Sequence, residues 1–315
     1  MIVKEIFRFV CVLVALMITS SCNKDGVITQ PIEDHYRAKT SSSKADWSEV
    51  YDYTPAPGQF IGDSRTGGFS GNESTMADAI AYAEERLTKG TFISLGGFGG
   101  YIVVGFDHSI DNEAGCDVAI KGNAFDGSSE PGVVYVMQDE DGDGEPNDVW
   151  YELRGSESGK VETLQDYSVT YYRPKEDGQP VAWSDSEGCT GEIDYLGQYH
   201  SQPFYYPAWI KADSYTLSGT CLKARNYDKS GNGTMWIQPG YDWGYADNFS
   251  SKDCLEEDKR VNLFDISNAV DTEGNSVELK YIDFVKIQTA CNTKSGWLGE
   301  MSTEVCGVYD YAMRR

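Results

Sequence analysis

The stretch GVVYVMQDEDGDGEPNDVWYELR, residues 132–154, decides the fold class. Its two ends are rich in β-branched and aromatic residues, and an acidic run with glycines separates them. In the second end, Val149, Tyr151 and Leu153 fall on one face of an extended chain, with polar or amphipathic residues between them. This period-two alternation is typical of a half-buried strand, so the stretch predicts two strands joined by a polar loop.

The same kind of apolar run recurs outward from this hairpin, each time bounded by turn residues. The further runs are TFISLGG, GYIVVGF, CDVAIKG, YSVTYYR, TMWIQPG and VELKYIDFVKIQTA. One helix is predicted within residues 72–90, with Ser74 or Thr75 as its N-cap and Gly90 as its stop. Many strands, 33 glycines and one early helix predict an all-β protein, an antiparallel jelly-roll-like β-sandwich.

The N-terminus predicts the compartment. A charged start precedes the apolar run FVCVLVALMI, which is shorter than the roughly 20 residues that cross a bilayer. The run ends at TSSC, so residues 1–21 are predicted to be a lipoprotein signal peptide and Cys22 the lipidated residue. A secretory signal with an incidental cysteine is the alternative, since Thr19 stands where such signals usually carry Leu. We expect a lipid-anchored outer-membrane protein at the cell surface.

The rest of the chain divides into a tether and one domain. Residues 22–50 are polar and without periodicity, which is typical of a flexible tether. Residues 51–315 are expected to form the β-sandwich, with a long loop insertion at about 173–259 at one end. The formal charge of -24 disfavours nucleic acid and anionic membrane surfaces as partners. Six cysteines beyond Cys22 permit up to three disulfides in an exported chain.

The acidic loop of the hairpin is a candidate calcium site. Asp139, Asp141 and Asp143 alternate, a glycine follows, and then come Asn147 and Asp148. Oxygen ligands at every second position suit calcium, but the twelfth position of an EF-hand, a glutamate, is a tryptophan here. A calcium-stiffened hairpin loop and an uncoordinated polar turn are both open, and either role is structural.

Two aromatic segments are candidates for ligand binding. They are GQYHSQPFYYPAW and MWIQPGYDWGYADNFS, which proline and glycine interrupt and which should therefore form loops in part. Rings on loops at the end of a sandwich can stack on flat ligands, although they can equally fill the core beneath the loops. The predicted ligand-binding residues are Tyr199, Tyr205, Tyr206, Trp209, Trp236, Tyr241, Trp243 and Tyr245.

Signals for catalysis are weak. The chain has three histidines and no G-x-S-x-G motif, which disfavours a serine hydrolase. A glycosidase needs two carboxyl groups in one cleft, and Glu130, Glu300 and Glu304 are among many acids that could supply them. With 50 acidic residues, any chosen pair means little, so we expect a protein that binds and does no chemistry.

Several long stretches resemble a family of Bacteroidetes surface lipoproteins that are often labelled "cell surface protein". They are FISLGGFGGYIVVGFDHSI, DVAIKGNAFDGSSEPGVVYVMQDEDGDGEPNDVWYELRGSE and YIDFVKIQTACNTKSGWLGEMSTEVCGVYD, within a resemblance that runs from about Asn72 to Tyr309. The resemblance implies a jelly-roll-like sandwich on a lipid tether. Members often accompany outer-membrane cobalamin uptake systems.

The resemblance therefore implies capture of cobalamin or a related corrinoid for a partner transporter, of the TonB-dependent outer-membrane type. A carbohydrate-binding module for glycan uptake is the first alternative. A glycosidase or esterase is the second, and it would need carboxyl groups, or a serine and a histidine, that converge in one cleft. An adhesion protein is the third, and it would have a flat surface without a pocket.

Overall fold

Six antiparallel strands form the largest sheet of the protein, which a computed structural model describes over residues 35–315. In spatial order they are β1 (Glu49–Thr54), β3 (Tyr101–Asp111), β15 (Tyr281–Thr289), β5 (Gly132–Met137), β6 (Trp150–Leu153) and β14 (Ala269–Val270). Strand β15 lies inside the sheet, paired with β3 on one side and β5 on the other. Strands β5 and β6 form the hairpin predicted from residues 132–154.

A second, three-stranded sheet packs on the first. Its strands in order are β13 (Val261–Phe264), β4 (Val118–Lys121) and β17 (Gly307–Asp310), and they pair antiparallel. Buried side chains of β4, such as Val118 and Ile120, share one apolar cluster with Val285 and Ile287 of β15. Two antiparallel sheets around one core are a β-sandwich, so the predicted all-β class is confirmed.

A third sheet has four strands and an apolar cluster of its own. Its strands in order are β10 (Ser214–Cys221), β7 (Leu164–Tyr172), β8 (Val181–Asp185) and β9 (Thr190–Ile193). Three of them come from residues 173–259, so the expected loop insertion contributes a sheet as well as connections. Two small pairs complete the strands, β2 (Ile93–Ser94) with β16 (Glu304–Val305) and β11 (Tyr227–Asp228) with β12 (Trp236–Ile237).

The helix α1 (Met76–Thr88) covers one end of the main core. Thr75 caps it, because its hydroxyl accepts a hydrogen bond from the Asp78 amide while the Asp78 carboxylate accepts from the Thr75 amide. Its buried residues are Ala79, Tyr82, Ala83 and Leu87, whereas Met76 at its start is exposed. Two short 3-10 helices lie at Ile266–Asn268 and Gly296–Leu298.

The glycines of SLGGFGG bring two chain segments into close contact. A Cβ at Gly100 would lie 1.8 Å from the Leu95 carbonyl oxygen and 2.4 Å from the Ala56 nitrogen. Gly96 has φ of +70°, and a Cβ there would lie 2.0 Å from the Ala56 carbonyl oxygen. Only glycine satisfies the backbone angle and the close spacing, so these glycines serve the packing of the two segments.

The N-terminal part of the described chain is packed on the large sheet. The guanidinium group of Arg37 donates to the buried carboxylate of Asp283 at 2.9 and 3.2 Å and to the Phe106 carbonyl. Lys39 pairs with Asp310, whose side chain is fully buried. The compact unit begins at His35, so the folded domain starts before the boundary of 51 expected for the tether. Residues 1–34, with the predicted signal peptide and Cys22, lie outside the described residues.

The described chain also shows the state of the cysteines that could have formed disulfides. Within residues 35–315 all six cysteines are free thiols: Cys116, Cys189, Cys221, Cys254, Cys291 and Cys306. The expectation of disulfides is therefore not met in the described chain. No helix in residues 35–315 has the length and apolar character to cross a membrane.

We expect Arg37→Ala to lower the free energy of unfolding by about 3 kcal/mol, because it leaves the buried Asp283 carboxylate without its counter-charge. Urea unfolding of protein comprising residues 23–315 measures this. Lys252→Ala is the matched control, since it removes an exposed ion pair with Asp242 and should cost less than about 1 kcal/mol. Equal losses in the two variants would show that Arg37 does not anchor the N-terminal segment.

Candidate functional site

One cavity combines carboxyl groups with aromatic rings, and we call it the carboxyl cavity. Its volume is about 590 Å³, within the range of small-molecule sites. Three glutamates line it: Glu130, Glu300 and Glu304. The aromatic side chains that line it are Phe60, Phe92, Phe125, Tyr199 and Trp297, together with the ring of His200. Acids and flat apolar faces in one concave site can bind a ligand that has both polar edges and apolar surfaces.

An extended segment places two of these acids on the same side. Glu300, Ser302 and Glu304 stand at alternate positions between the 3-10 helix Gly296–Leu298 and β16, and all three line the cavity. Alternate residues of an extended chain point to one face. The intervening Met301 and Thr303 are buried elsewhere, Met301 in an apolar cluster and Thr303 against the Glu130 carbonyl.

Glu300 is buried with one carboxyl oxygen unpaired. Its Oε1 accepts a hydrogen bond of 2.7 Å from the Gln59 amide, while its buried Oε2 has no hydrogen-bond partner. Burial raises the pKa of Glu300 to about 8, since the charged form loses its hydration. At neutral pH its carboxyl group is therefore mainly protonated, and it can donate as well as accept a hydrogen bond.

Glu130 and Glu304 form a second group of acids. Glu130 precedes β5, and its Oε1 accepts from the Gln238 amide group at 3.0 Å and from the Ser302 backbone amide at 3.3 Å. Burial raises the pKa of Glu304 well above its usual value, and the nearby Glu130 and Asp247 raise it further. Burial also raises the pKa of Glu130, although hydrogen bonds from its neighbours oppose this.

Asp247 closes the inner side of this group. It lies in the connection between β12 and β13 with φ of +51°, a left-handed conformation that aspartate tolerates. Its Oδ1 accepts from the Asn123 and Ala124 amides at 2.8 Å each, and its Oδ2 accepts from the Glu304 amide at 3.0 Å. Burial, followed by the proximity of Glu130, raises its pKa to about 7. Its backbone carbonyl accepts from the Glu130 amide at 3.0 Å, so Asp247 holds the segments of both Glu130 and Glu304.

Exposed aromatic rings surround the polar interior. Phe125, Tyr199 and Trp297 retain 64%, 49% and 47% of their accessible surface, which is unusual for rings of this size. The rings of Tyr199 and Trp297 lie 6.3 Å apart, with an angle of 56° between their planes. These rings present apolar faces at the cavity where a ligand can stack.

His200 lines the cavity through a hydrogen-bonded pair with Asp63. Its Nδ1 lies 2.5 Å from Oδ2 of Asp63, which also accepts from the Thr66 hydroxyl at 2.7 Å. Burial of Asp63 would raise its pKa, but hydrogen bonds from Thr66, His200 and two backbone amides hold that pKa below its usual value. The ring of His200 packs edge-on against Phe60 with 4.7 Å between centroids. The pair orients the imidazole at the cavity wall.

The structure corrects most of the aromatic ligand-binding assignments. Five of the eight predicted rings are buried in apolar clusters, namely Tyr205, Tyr206, Trp209, Tyr241 and Tyr245. These five rings pack into the core beneath their loops. The hydroxyl groups of all four tyrosines have hydrogen-bond partners in the protein. Trp236 and Trp243 are half-buried and do not line the carboxyl cavity. Tyr199 does line it.

The acidic loop of the hairpin is organised as a turn. Asp139 is buried, and its two carboxylate oxygens accept from the amides of Gly142 and Gly144. Asp143 and Asn147 bond to each other at 2.9 Å. Carboxylate oxygens of Asp139, Asp141 and Asp148 also lie within 4.8 Å of one another. These hydrogen bonds are those of a polar turn, and calcium binding at this loop stays a prediction.

The arrangement required for the hydrolase alternatives is met in part. Glu130, Glu300 and Glu304 converge in one cleft, as a glycosidase would need. No serine is hydrogen-bonded to any of the three histidines in the described chain. His108 lies between the carboxylates of Asp107 and Asp310, His200 bonds to Asp63 and Thr66, and His35 bonds to no serine. The serine-hydrolase alternative thus has no matching geometry in residues 35–315.

Sequence reasoning named the three glutamates only as examples and missed the rings of Phe60, Phe125 and Trp297. The E-x-S-x-E alternation at 300–304 was the available signal for a shared face. Comparison of the chain with protein-family models and with curated proteins gives no match to either.

We expect Glu300→Gln to flatten the pH dependence of stability in metal-free buffer. Between pH 4.5, near the pKa of the unfolded chain, and pH 8, the unfolded carboxyl group loses its proton while the folded one keeps it. The free energy of unfolding therefore falls as pH rises through this window, by about 1.4 kcal/mol per pH unit for each such group.

Glutamine has no proton to lose, so the variant should gain stability relative to the native protein as pH rises from 5 to 8. Urea unfolding at pH 5, 6, 7 and 8 measures the two slopes. Glu187→Gln, at an exposed position, is the control and should leave the slope unchanged. Parallel slopes for the native protein and Glu300→Gln would contradict the protonated state of Glu300.

Proposed function

We propose that the protein is a surface lipoprotein that binds a nutrient ligand in the carboxyl cavity and passes it unchanged to a partner transporter. The observation that carries this proposal is an aromatic-lined cavity of about 590 Å³ in which Glu300 has an unpaired carboxyl oxygen. A buried oxygen without a partner costs free energy, which a hydrogen-bond donor from a ligand would recover. Its position at the wall of a cavity, where a ligand can reach it, favours a binding role for Glu300.

The proposed ligand is cobalamin or a related corrinoid. A corrinoid carries primary carboxamides around the edge of a flat ring, so it offers N–H donors to carboxyl oxygens and flat faces to aromatic rings. It is larger than the cavity, and we expect one edge to enter while the exposed rings of Tyr199 and Trp297 contact the ring face. The choice of a corrinoid, and of a TonB-dependent outer-membrane transporter as partner, rests on the family resemblance of the sequence.

A glycan is the second candidate ligand. Tyr199 and Trp297 present the kind of aromatic faces on which sugar rings stack, and the three glutamates can bond to hydroxyl groups. Hydrolysis would further need one protonated and one ionised carboxyl group at the glycosidic bond. Glu300, whose pKa burial raises to about 8, would be the general acid.

Retention of cyanocobalamin tests the first proposal. Protein comprising residues 23–315 is mixed with the ligand and desalted, and the visible absorbance of the protein fraction is read. We expect near-equimolar colour in the native protein. Trp297→Ala and Glu300→Gln should each weaken binding by about tenfold or more, since each removes about 1.4 kcal/mol or more of contact energy.

Trp243→Ala is the matched control, because Trp243 is a half-buried tryptophan that does not line the cavity. A colourless native fraction at micromolar protein would refute tight corrinoid capture. Glycan arrays and release of nitrophenol from aryl glycosides then test the second candidate. Glycoside cleavage that Glu300→Gln abolishes would replace the binding proposal with an enzymatic one.

A further inference from the structure

We propose that Glu130, Asp247 and Glu304 hold a hard divalent cation, of the calcium class, at the inner side of the carboxyl cavity. One carboxyl oxygen from each of these residues lies within 4.8 Å of one from each of the others. Glu130 and Glu304 also line the cavity, whereas Asp247 is fully buried behind them. The proposal concerns a second site beside the ligand contacts of Glu300, and it holds whichever ligand the cavity takes.

An unpaired oxygen provides the independent support for this site. Glu304 is 2% exposed, and its Oε1 has no hydrogen-bond partner. Interior polar atoms without a partner are rare in folded proteins, and coordination of an ion is one of their ordinary explanations. A cation bound between the three carboxyl groups would bond to this oxygen, which no protein donor reaches.

The cluster also lacks a basic partner within the described chain. None of the ion pairs in residues 35–315 includes Glu130, Asp247 or Glu304. Two other fully buried carboxylates have a basic partner, since Arg37 pairs with Asp283 and Lys39 with Asp310. Carboxylates that are ionised in a protein interior are normally paired or coordinate a metal, and no basic side chain in residues 35–315 pairs with these three, so a cation would stabilise their ionised forms.

The donor atoms select the kind of cation. Three carboxylates supply three to six oxygens, depending on whether each binds through one or both atoms, and the cluster contributes no sulfur or imidazole nitrogen. Oxygen-only sets favour calcium, magnesium or manganese over zinc or copper. Water molecules in the adjoining cavity can complete the coordination shell. Asp247, whose oxygens already accept three backbone amides, is the ligand that fixes the geometry.

Metal-dependent stability tests the proposal. Protein comprising residues 23–315 is treated with EDTA, desalted and heated with added Ca²⁺, Mg²⁺ or Mn²⁺ alone, and bound metal is counted after equilibrium dialysis. We expect one cation per chain from this site and a rise in Tm of roughly 8 °C or more at a concentration 1,000 times Kd. Glu304→Gln and Glu130→Gln should each weaken metal binding by about 100-fold or more, since loss of an outer-shell partner alone costs 10–100-fold.

The acidic loop at 139–148 needs its own control, because it could bind the same metals. Asp141→Asn should leave the cation at Glu304 in place. Both glutamine variants remain folded if their metal-free Tm is no lower than that of the native protein, as we expect when a buried carboxyl group is replaced by a carboxamide. The proposal is overturned if none of the three cations raises Tm or is retained. It is equally overturned if Asp141→Asn loses the effect and the glutamine variants keep it.

Discussion

A carboxyl group taken out of water needs hydrogen-bond donors or a counter-charge, and this acidic chain builds its structure around meeting that need. Asp283 lies on the inner strand of the large sheet with no exposed surface. It accepts from Arg37, from the hydroxyl of Ser109 and from the amide of Asp139. One side chain thereby joins the N-terminal segment, two strands of the sheet and the acidic hairpin loop. These hydrogen bonds fix the relative positions of the joined segments.

The carboxyl cavity departs from this pattern. Glu300 and Glu304 each keep a buried oxygen without a partner, and no basic side chain in the described chain pairs with them. Asp283 shows that this fold can supply donors and a counter-charge to a buried carboxylate, yet it supplies neither to these two oxygens. Local rules of structure are most often broken where a site binds something else. The unpaired oxygens of Glu300 and Glu304 therefore mark a part of the fold that stability alone does not explain.

Much of the fold could be predicted because its signals are local. The hairpin at 132–154 and the helix capped by Thr75 follow from alternation and capping within a few residues. The carboxyl cavity could not be predicted, since the Asp247 carboxylate meets the amides of Ala124 and Glu304 across 123 and 57 residues. The aromatic segments failed for a related reason: proline and glycine correctly indicated loops, but whether Tyr205 faces solvent or core depends on the sheet beneath it.

The free thiols of the described chain differ in reactivity, which allows one of them to be labelled selectively. Burial raises the pKa of Cys221 to about 11 and that of Cys291 to about 12, so both stay protonated and unreactive near neutral pH. Burial likewise raises the pKa of Cys306 to about 11. Cys189, by contrast, is exposed in the turn between β8 and β9. Burial also raises the pKa of Cys116 and that of Cys254. Within residues 35–315 a maleimide dye should therefore attach preferentially at Cys189, in that turn.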